Sequence, residues 1–341
     1  MTTRERIALL APVVAQFPEM GAFGDEGALC DLIRLELGSE NSLETGAVLA
    51  PGHILHIISS NTAMAGIQSL VRGLILGSMN WCKTPQAGLP RFEEFVSLLP
   101  EPLHALVELS EVLPQKWLEG ADAVVVFGTD DTVEKFRVQI KPDRIFAGYG
   151  NRWSGAVIYS DADYLSIPSV VRDACSYEQM GCLSAQIVWL HDSIDAVAYG
   201  ERFAAELERY VTSYPPLPLP ADAVSSVGRW RATAEWDAIA DGKVWLSRGE
   251  PVWGVSLTKT ARLSCLHRHV TLVPFEDVPD LGDLSNSVSS LGLWPDIAEN
   301  RKQLASSGAS RFCEVGELQF PVPTWQQDGF PALGRLTRVQ R

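Results

Sequence analysis

Short apolar strands alternate with helical segments along this chain, and this alternation limits the possible folds more than any other feature. In the first half, the helical spacing of residues 62–78 separates two strand-like runs, and the same pattern continues to residue 150. Strands that alternate with helices predict βαβ units and parallel sheets. The predicted strands are HILHIIS (53–59), NWCKT (80–84), ADAVVVFG (121–128) and RIFAGYG (144–150).

The second half repeats the alternation, beginning at WSGAVIYS (153–160). Residues 162–179 predict one helix that ends just before an apolar strand, IVWL. EPLHALVELSEVL (101–113), in the first half, is also predicted to be helical. The fold class is therefore α/β with two Rossmann-like βα lobes, although no GxGxxG follows the first strand.

Composition excludes several classes of function. The 341 residues carry a net charge of −14, which disfavours non-specific nucleic-acid binding and gives no basic patch for a membrane surface. No apolar run approaches the roughly 20 residues that a membrane span requires. The N-terminal apolar patch is too short for a secretion signal. We expect a soluble, cytoplasmic protein.

The six cysteines are scattered and form no CxxC pair. This spacing fits neither a zinc framework nor a disulfide scaffold, so we predict no metal site and free thiols in a reducing compartment.

One cysteine, Cys182, lies in SYEQMGCLSAQIVWL, on the predicted turn before a strand. Turns of this kind present reactive groups to clefts, and a thiolate there can serve as a nucleophile. Most free cysteines are buried and inert, so this segment alone leaves both interpretations open.

Two other side chains follow strands of the first lobe. Asn61 can cap the next helix or donate its amide N–H to an oxyanion. Lys83 can be a solvated surface residue or can reach a ribose hydroxyl or phosphate. The six histidines show no triad pattern. For His267 and His269, on either side of Arg268, a solvated rim is the favoured interpretation.

Several ordered motifs resemble the LuxC-type acyl-CoA reductases of the aldehyde dehydrogenase superfamily. The resemblance covers most of residues 50–330 and ends in a Trp followed by an Asp-Gly pair. It implies an aldehyde-dehydrogenase-like fold with a shortened N-terminal region. The motifs are HILHIISSNTAMAGIQSLVRGLILGSMNWCKTP, VVVFGTDDTVEKF, GYGNRWSGAVI, YEQMGCLSAQ and ASRFCEVGELQFPVPTWQQDG.

The resemblance also implies residue roles and lobes. Cys182 matches the nucleophile of the superfamily and Asn61 its oxyanion donor. Residues 1–150 would form the NAD(P)-binding lobe, with part of 310–341 packing back on it, and residues 151–310 the catalytic lobe. The implied cofactor-binding residues are Lys83, Ser59, Ser60, Gly128, Thr129, Asp130 and Thr132.

The implied activity is NADPH-dependent reduction of a fatty acyl thioester, on CoA or a carrier protein, to the aldehyde through a thioester on Cys182. NADH is the alternative cofactor, and Arg72 and Arg137 are expected to be solvated. Hydrolytic relatives carry a Glu where this chain has FAGYGNRWSG. The alternatives are a hydrolytic dehydrogenase with Glu178 as its base, and a non-catalytic scaffold. The resemblance further implies a homo-oligomer and an acyl-protein synthetase or carrier-protein partner.

Overall fold

The computed structural model describes residues 1–61, 63–250 and 252–340. The chain forms two compact units. The first comprises Met1–Asn151 and Phe320–Arg341, and the second comprises Arg152–Gln319. The chain therefore passes into the second unit after Asn151 and returns to the first after Gln319.

The first unit contains a five-stranded parallel sheet in the order β4-β3-β2-β5-β6. Its elements are α1 (Thr3–Val14), α2 (Glu26–Leu37), β1 (Val48–Leu49), β2 (His53–Ile57), α3 (Ala63–Leu76), β3 (Met79–Lys83), α4 (Pro90–Ser97), α5 (Glu101–His104), β4 (Val107–Ser110), α6 (Gln115–Gly120), β5 (Ala123–Phe127), α7 (Asp130–Arg137) and β6 (Ile145–Tyr149). The four strands predicted from sequence are all present. Thr62, with which the predicted helix 62–78 begins, lies outside the described residues.

Apolar side chains on both faces hold this sheet. Every residue of β5 is buried, because alternate side chains enter the two cores on opposite sides. The helix α3 packs on one face with almost all of its side chains buried. Arg72 belongs to this buried set, so its predicted solvation was wrong. Its guanidinium lies over the ring of Phe23 at 5.6 Å, and burial lowers its pKa.

The predicted helix 101–113 was also wrong. The helix α5 stops at His104, and Val107–Ser110 forms the edge strand β4. This strand pairs in parallel with β3, so that Asn80 lies opposite Val107. Its backbone N–H and C=O groups pair with groups of β3 that would otherwise lack a partner strand. This long-range hydrogen bonding outweighs the helical spacing of the local sequence.

The second unit contains a seven-stranded sheet in the order β13-β12-β7-β8-β11-β10-β9, in which only the β9 pairing is antiparallel. Its elements are β7 (Trp153–Ile158), α8 (Ile167–Cys175), β8 (Ala185–His191), α9 (Ala196–Ser213), α10 (Ala221–Ala240), β9 (Lys243–Leu246), β10 (Gly254–Leu257), β11 (His269–Phe275), β12 (Val288–Trp294), α11 (Ala298–Gln303) and β13 (Arg311–Glu314). Two apolar cores cover its faces. After this unit the chain adds β14 (Arg338–Val339), which pairs with β1.

The helix predicted over residues 162–179 is shorter than expected. Tyr164 has a φ of 58°, which interrupts a helix, and α8 begins at Ile167 with Pro168 in its first turn. After Cys175, residues Tyr177–Gln179 take positive φ angles and turn the chain. The segment before Cys182 is therefore a left-handed turn and not the last turn of a helix.

Within residues 1–61, 63–250 and 252–340, no helix is long and apolar enough to cross a bilayer. The same residues hold no group of three or more His, Cys, Asp or Glu that fits a metal ion.

Candidate active site

Three adjacent strands of the first unit end at one edge of its sheet. Residues 59–61 follow β2, Lys83 ends β3, and Gly128 follows β5. Because β3, β2 and β5 are parallel neighbours, these positions lie along the same carboxyl edge. The amide of Ile58 donates to the carbonyl of Lys83 at 3.0 Å, so the β2 and β3 ends stay paired to this point. Open parallel sheets bind ligands at such an edge.

Lys83 supplies a positive charge to this edge. Its side chain is half-buried. In the part of the chain that the structure describes, no carboxylate lies within 4.0 Å of its ammonium group. A cation without a carboxylate partner, in a chain of net charge −14, fits a phosphate or a ribose hydroxyl.

The start of α7 is less suited to phosphate. The hydroxyl of Thr129 accepts from the backbone N–H of Thr132 at 3.2 Å and so caps the helix. Asp130 and Asp131 place two carboxylates in its first turn, where they already stabilise the positive end of the helix. Asp130 also accepts from the backbone N–H of Asn151 at 2.9 Å. A pyrophosphate there would meet two like charges.

Two glycines allow α7 to pack closely at this edge. A Cβ on Gly150 would lie 2.0 Å from the Asp130 carboxylate, and a Cβ on Gly128 would lie 2.9 Å from Thr132 Cγ2. At both positions a larger residue would force the Asp130 or Thr132 side chain to shift.

The end of β6 carries aromatic and not acidic side chains. Tyr149 stacks on Phe127 with the ring centroids 4.9 Å apart. Arg335, from the C-terminal segment, lies 5.8 Å from the Tyr149 ring centroid and donates to the carbonyl of Phe146 at 3.4 Å. Residues 145–152 include no Asp or Glu that could activate water.

In the second unit, Cys182 lies on the turn between α8 and β8. The amide of Ser184 donates to the carbonyl of Gly181 at 3.0 Å and closes this turn. The Cys182 side chain is half-buried, a position compatible with access by a substrate.

Two side chains, one from β7 and one from the segment after β13, hold the turn. The hydroxyl of Ser154, in β7, donates to the carbonyl of Cys182 at 2.7 Å and accepts from the amide of Ser290, in β12, at 3.2 Å. The side-chain amide of Gln319 donates to the hydroxyl of Ser184 at 3.2 Å.

Gln179 ties the start of this turn to two strands. Its side-chain NH₂ donates to the carbonyl of Ala185 at 2.8 Å and to that of His269 at 2.9 Å. Its side-chain oxygen accepts from the amide of His269 at 3.0 Å. The β8–β11 ladder begins at Ile187 and Thr271, so the Gln179 carboxamide replaces the next backbone rung.

An ion pair reinforces this connection. Arg268 donates to the Glu178 carboxylate at 2.6 Å and to the carbonyl of Tyr214 at 2.7 Å. His269 is buried, so the solvated rim predicted for it was wrong, whereas His267 is half-buried. Burial lowers the pKa of His269 to about 4. Glu178 is held as an ion-pair partner and not as a solvated carboxylate.

The other five thiols are poorly suited to nucleophilic chemistry. Burial raises the pKa of Cys175, Cys265 and Cys313 to about 12 each. Burial likewise raises the pKa of Cys30 and Cys82. These groups stay protonated near neutral pH, whereas the thiolate is the reactive form. Cys182 is therefore the best candidate for a nucleophile.

The sequence prediction missed Ser154, Gln179 and Arg268. Their only signal was that each is a polar residue close to the start of an apolar strand. Their partners lie 28, 6 and 90 residues away for Ser154–Cys182, Gln179–Ala185 and Arg268–Glu178. These pairings follow from strand order and register, which the sequence pattern did not give.

The fold belongs to a known class. The structure aligns with aldehyde dehydrogenase 21 from Physcomitrella patens with a TM-score of 0.69 and 12% identity, covering 99% of this chain and 85% of that one. It aligns with the indole-3-acetaldehyde dehydrogenase AldA of P. syringae with a TM-score of 0.68 and 11% identity, covering 100% and 84%. The chain therefore has the aldehyde dehydrogenase fold.

Sequence comparison identifies the family. The model of the acyl-CoA reductase (LuxC) family matches residues 8–339, so the chain belongs to that family. It is 23% identical over 342 residues to the long-chain acyl-protein thioester reductase of Photobacterium phosphoreum, covering 92% of this chain and 69% of that protein. Reductase 2 of Photobacterium leiognathi is 22% identical, covering 91% and 70%. The chain is thus an oxidoreductase acting on acyl or aldehyde groups.

Proposed function

We propose that this protein reduces a long-chain acyl thioester to the aldehyde, with NADPH as reductant and Cys182 as the acyl carrier. The observation that supports this most directly is the half-buried Cys182 on a turn held by the Ser154 hydrogen bond, in a member of the acyl-CoA reductase (LuxC) family. Relatives named long-chain acyl-protein thioester reductases support the acyl class.

In this proposal the first unit binds the cofactor. Solved structures with this fold include a Bacillus halodurans glyceraldehyde-3-phosphate dehydrogenase in complex with NADP and a Streptococcus pyogenes succinic semialdehyde dehydrogenase in complex with NADP⁺. Lys83, which has no carboxylate partner among the described residues, fits the adenosine ribose or its 2′-phosphate, and Ser59 and Ser60 follow β2, the strand that pairs with β3. We assign Gly128, Thr129, Asp130 and Thr132 to the wall of the same site but not to the pyrophosphate itself, which the Asp130 and Asp131 carboxylates would repel.

In the second unit, the Cys182 thiolate attacks the thioester carbonyl and the CoA or carrier thiolate departs. The Cys182 backbone N–H donates to the oxyanion, and the family resemblance assigns the Asn61 amide as a second donor. The reduced nicotinamide, when bound, supplies the hydride that turns the acyl carbon into an aldehyde carbon. Cys182 leaves as a thiolate when the aldehyde departs, so the nucleophile is regenerated.

A hydrolytic dehydrogenase is the main alternative. It needs a base to activate water on the acyl-enzyme. Residues 145–152 supply no carboxylate, and Glu178 is paired with Arg268 at 2.6 Å. Both observations favour reduction of the acyl-enzyme over its hydrolysis. Family membership as an oxidoreductase removes the support for the scaffold alternative.

The test is NADPH oxidation with a panel of acyl-CoAs and acyl-carrier proteins. We expect aldehyde to form in equal amount to the NADPH consumed, and Cys182→Ser to abolish both. Cys175→Ala is the control, because Cys175 is buried with a pKa near 12. Free acid in place of aldehyde, with no NADPH consumed, would support the hydrolytic alternative.

A further inference from the structure

We propose that Ser154 is a positioning residue for Cys182, acting through the Cys182 carbonyl with Gln179 as a second support. This inference rests on the proposed role of Cys182 as nucleophile, and it goes beyond it to the residues that aim the thiol.

The first support is the geometry at the Cys182 backbone. Its carbonyl accepts from Ser154 at 2.7 Å, and the Gly181–Ser184 hydrogen bond closes the turn around it. A carbonyl held in one direction restricts the ψ angle of its residue. The direction of the Cys182 Cα–Cβ bond, about which χ1 turns the sulfur, is restricted in turn.

The second support is that the donor itself is fixed. Ser154 is fully buried in β7, and its hydroxyl oxygen accepts from the Ser290 amide at 3.2 Å. The hydroxyl proton is therefore directed at the Cys182 carbonyl. The interior strand β7 and its neighbour β12 thus hold the turn from the sheet side.

The third support is strain at the start of the turn. Tyr177, Glu178 and Gln179 have φ angles of 54°, 55° and 63°, in the left-handed region that non-glycine residues avoid. A second left-handed run, 266–268, faces them, since the His267 amide donates to the Glu178 carbonyl at 3.1 Å. Strain of this kind persists only where the surroundings enforce it.

The Gln179 carboxamide and the Arg268–Glu178 ion pair provide that enforcement. Together the contacts fix both ends of the Cys182 turn before any substrate arrives. Such preorganisation matters because a misplacement of about 1 Å can lower a rate by about 10²-fold.

The test is Ser154→Ala, which removes one hydroxyl. Ser78→Ala is the matched control, because Ser78 is buried and donates to the Pro51 carbonyl at the same 2.7 Å, but in the first unit. The probe is p-nitrophenyl acetate without cofactor, a small ester that acylates a nucleophilic thiol and releases p-nitrophenolate in a burst. Iodoacetamide alkylation of Cys182 across pH 6–10 is measured in parallel.

We expect Ser154→Ala to slow the burst by about tenfold or more, and Ser78→Ala to change it by less than twofold, with similar losses of melting temperature. The pH midpoint of alkylation should stay at the wild-type value, because the hydrogen bond fixes geometry and carries no charge. A burst within twofold of wild type in Ser154→Ala, or equal slowing in both variants, would overturn the proposal.

Gln179→Glu is the second variant. It keeps the acceptor for the His269 amide and loses both donated hydrogen bonds. If folded, it should also slow the burst, and an unchanged burst would count against the proposal. A wild-type burst without any acyl-CoA adduct would reject the proposed substrate and leave the positioning role standing, so the two failures are distinguishable.

Discussion

Asp173→Asn should stabilise the protein above neutral pH. Asp173 is fully buried near the end of α8, and burial raises the pKa of its carboxyl to about 7. One oxygen accepts from the Gly316 amide at 2.5 Å, and the other has no hydrogen-bond partner among the described residues. An asparagine keeps the acceptor and removes the buried charge.

The size of the stability change follows from the raised pKa of Asp173. The folded protein holds the Asp173 proton more tightly than the unfolded chain, whose carboxyl has a pKa of 3.8. Stability is therefore highest at low pH, and is lost as pH rises from about 4 to 7. Between pH 5 and pH 8 the loss is about 3 kcal/mol, since each pKa unit corresponds to about 1.4 kcal/mol. Asn at 173 removes this loss. The melting temperature of the variant minus that of wild type should therefore be about 5–10 °C higher at pH 8 than at pH 5.

The assay is thermal unfolding of both proteins at pH 5 and pH 8. Asp161→Asn is the control, because its two carboxylate oxygens accept from the amides of Leu165 and Ser166 at 2.7 and 2.9 Å. That variant loses an acceptor and should be destabilised at both pH values. If the difference between Asp173→Asn and wild type were the same at pH 5 and pH 8, the argument from buried charge would be refuted.

Three further predictions concern the site. Asn61→Ala should lower turnover about a hundredfold, as expected for one lost oxyanion donor, and full activity with a lower melting temperature would make Asn61 only a helix cap. Lys83→Ala should raise the KM for NADPH far more than that for NADH in steady-state kinetics; equal increases would limit Lys83 to the common ribose. Glu178→Gln weakens the ion pair that holds the Cys182 turn and should slow acylation of Cys182, whereas hydrolysis of an acyl-enzyme already formed, followed by mass spectrometry without cofactor, should stay within twofold of wild type; a tenfold drop in that hydrolysis would identify Glu178 as a water-activating base.

Sequence patterns predicted the elements that carry their own signal. The strand β5 is recognisable because AVVVF is apolar on both faces, and Thr129 marks the start of α7 as its N-cap. The strand β4 was missed because it forms by pairing with the free edge of β3, and the local sequence pattern does not show that edge.

The candidate site was likewise predicted only in part. Motif order predicted Cys182, Asn61 and Lys83, because each lies at the end of a recognisable strand or within a few residues of one. The buried state of Arg72 and Arg268 was not predicted. Arginine is usually exposed, and only the packed structure shows what covers these two.

The most direct test of the account is the mass of the intact protein after incubation with a long-chain acyl-CoA and no cofactor. We predict a single acyl adduct that peptide mapping places on Cys182 and that NADPH removes with release of aldehyde. An adduct on another cysteine such as Cys265, or no adduct on a protein that still consumes NADPH with acyl-CoA, would contradict covalent catalysis by Cys182.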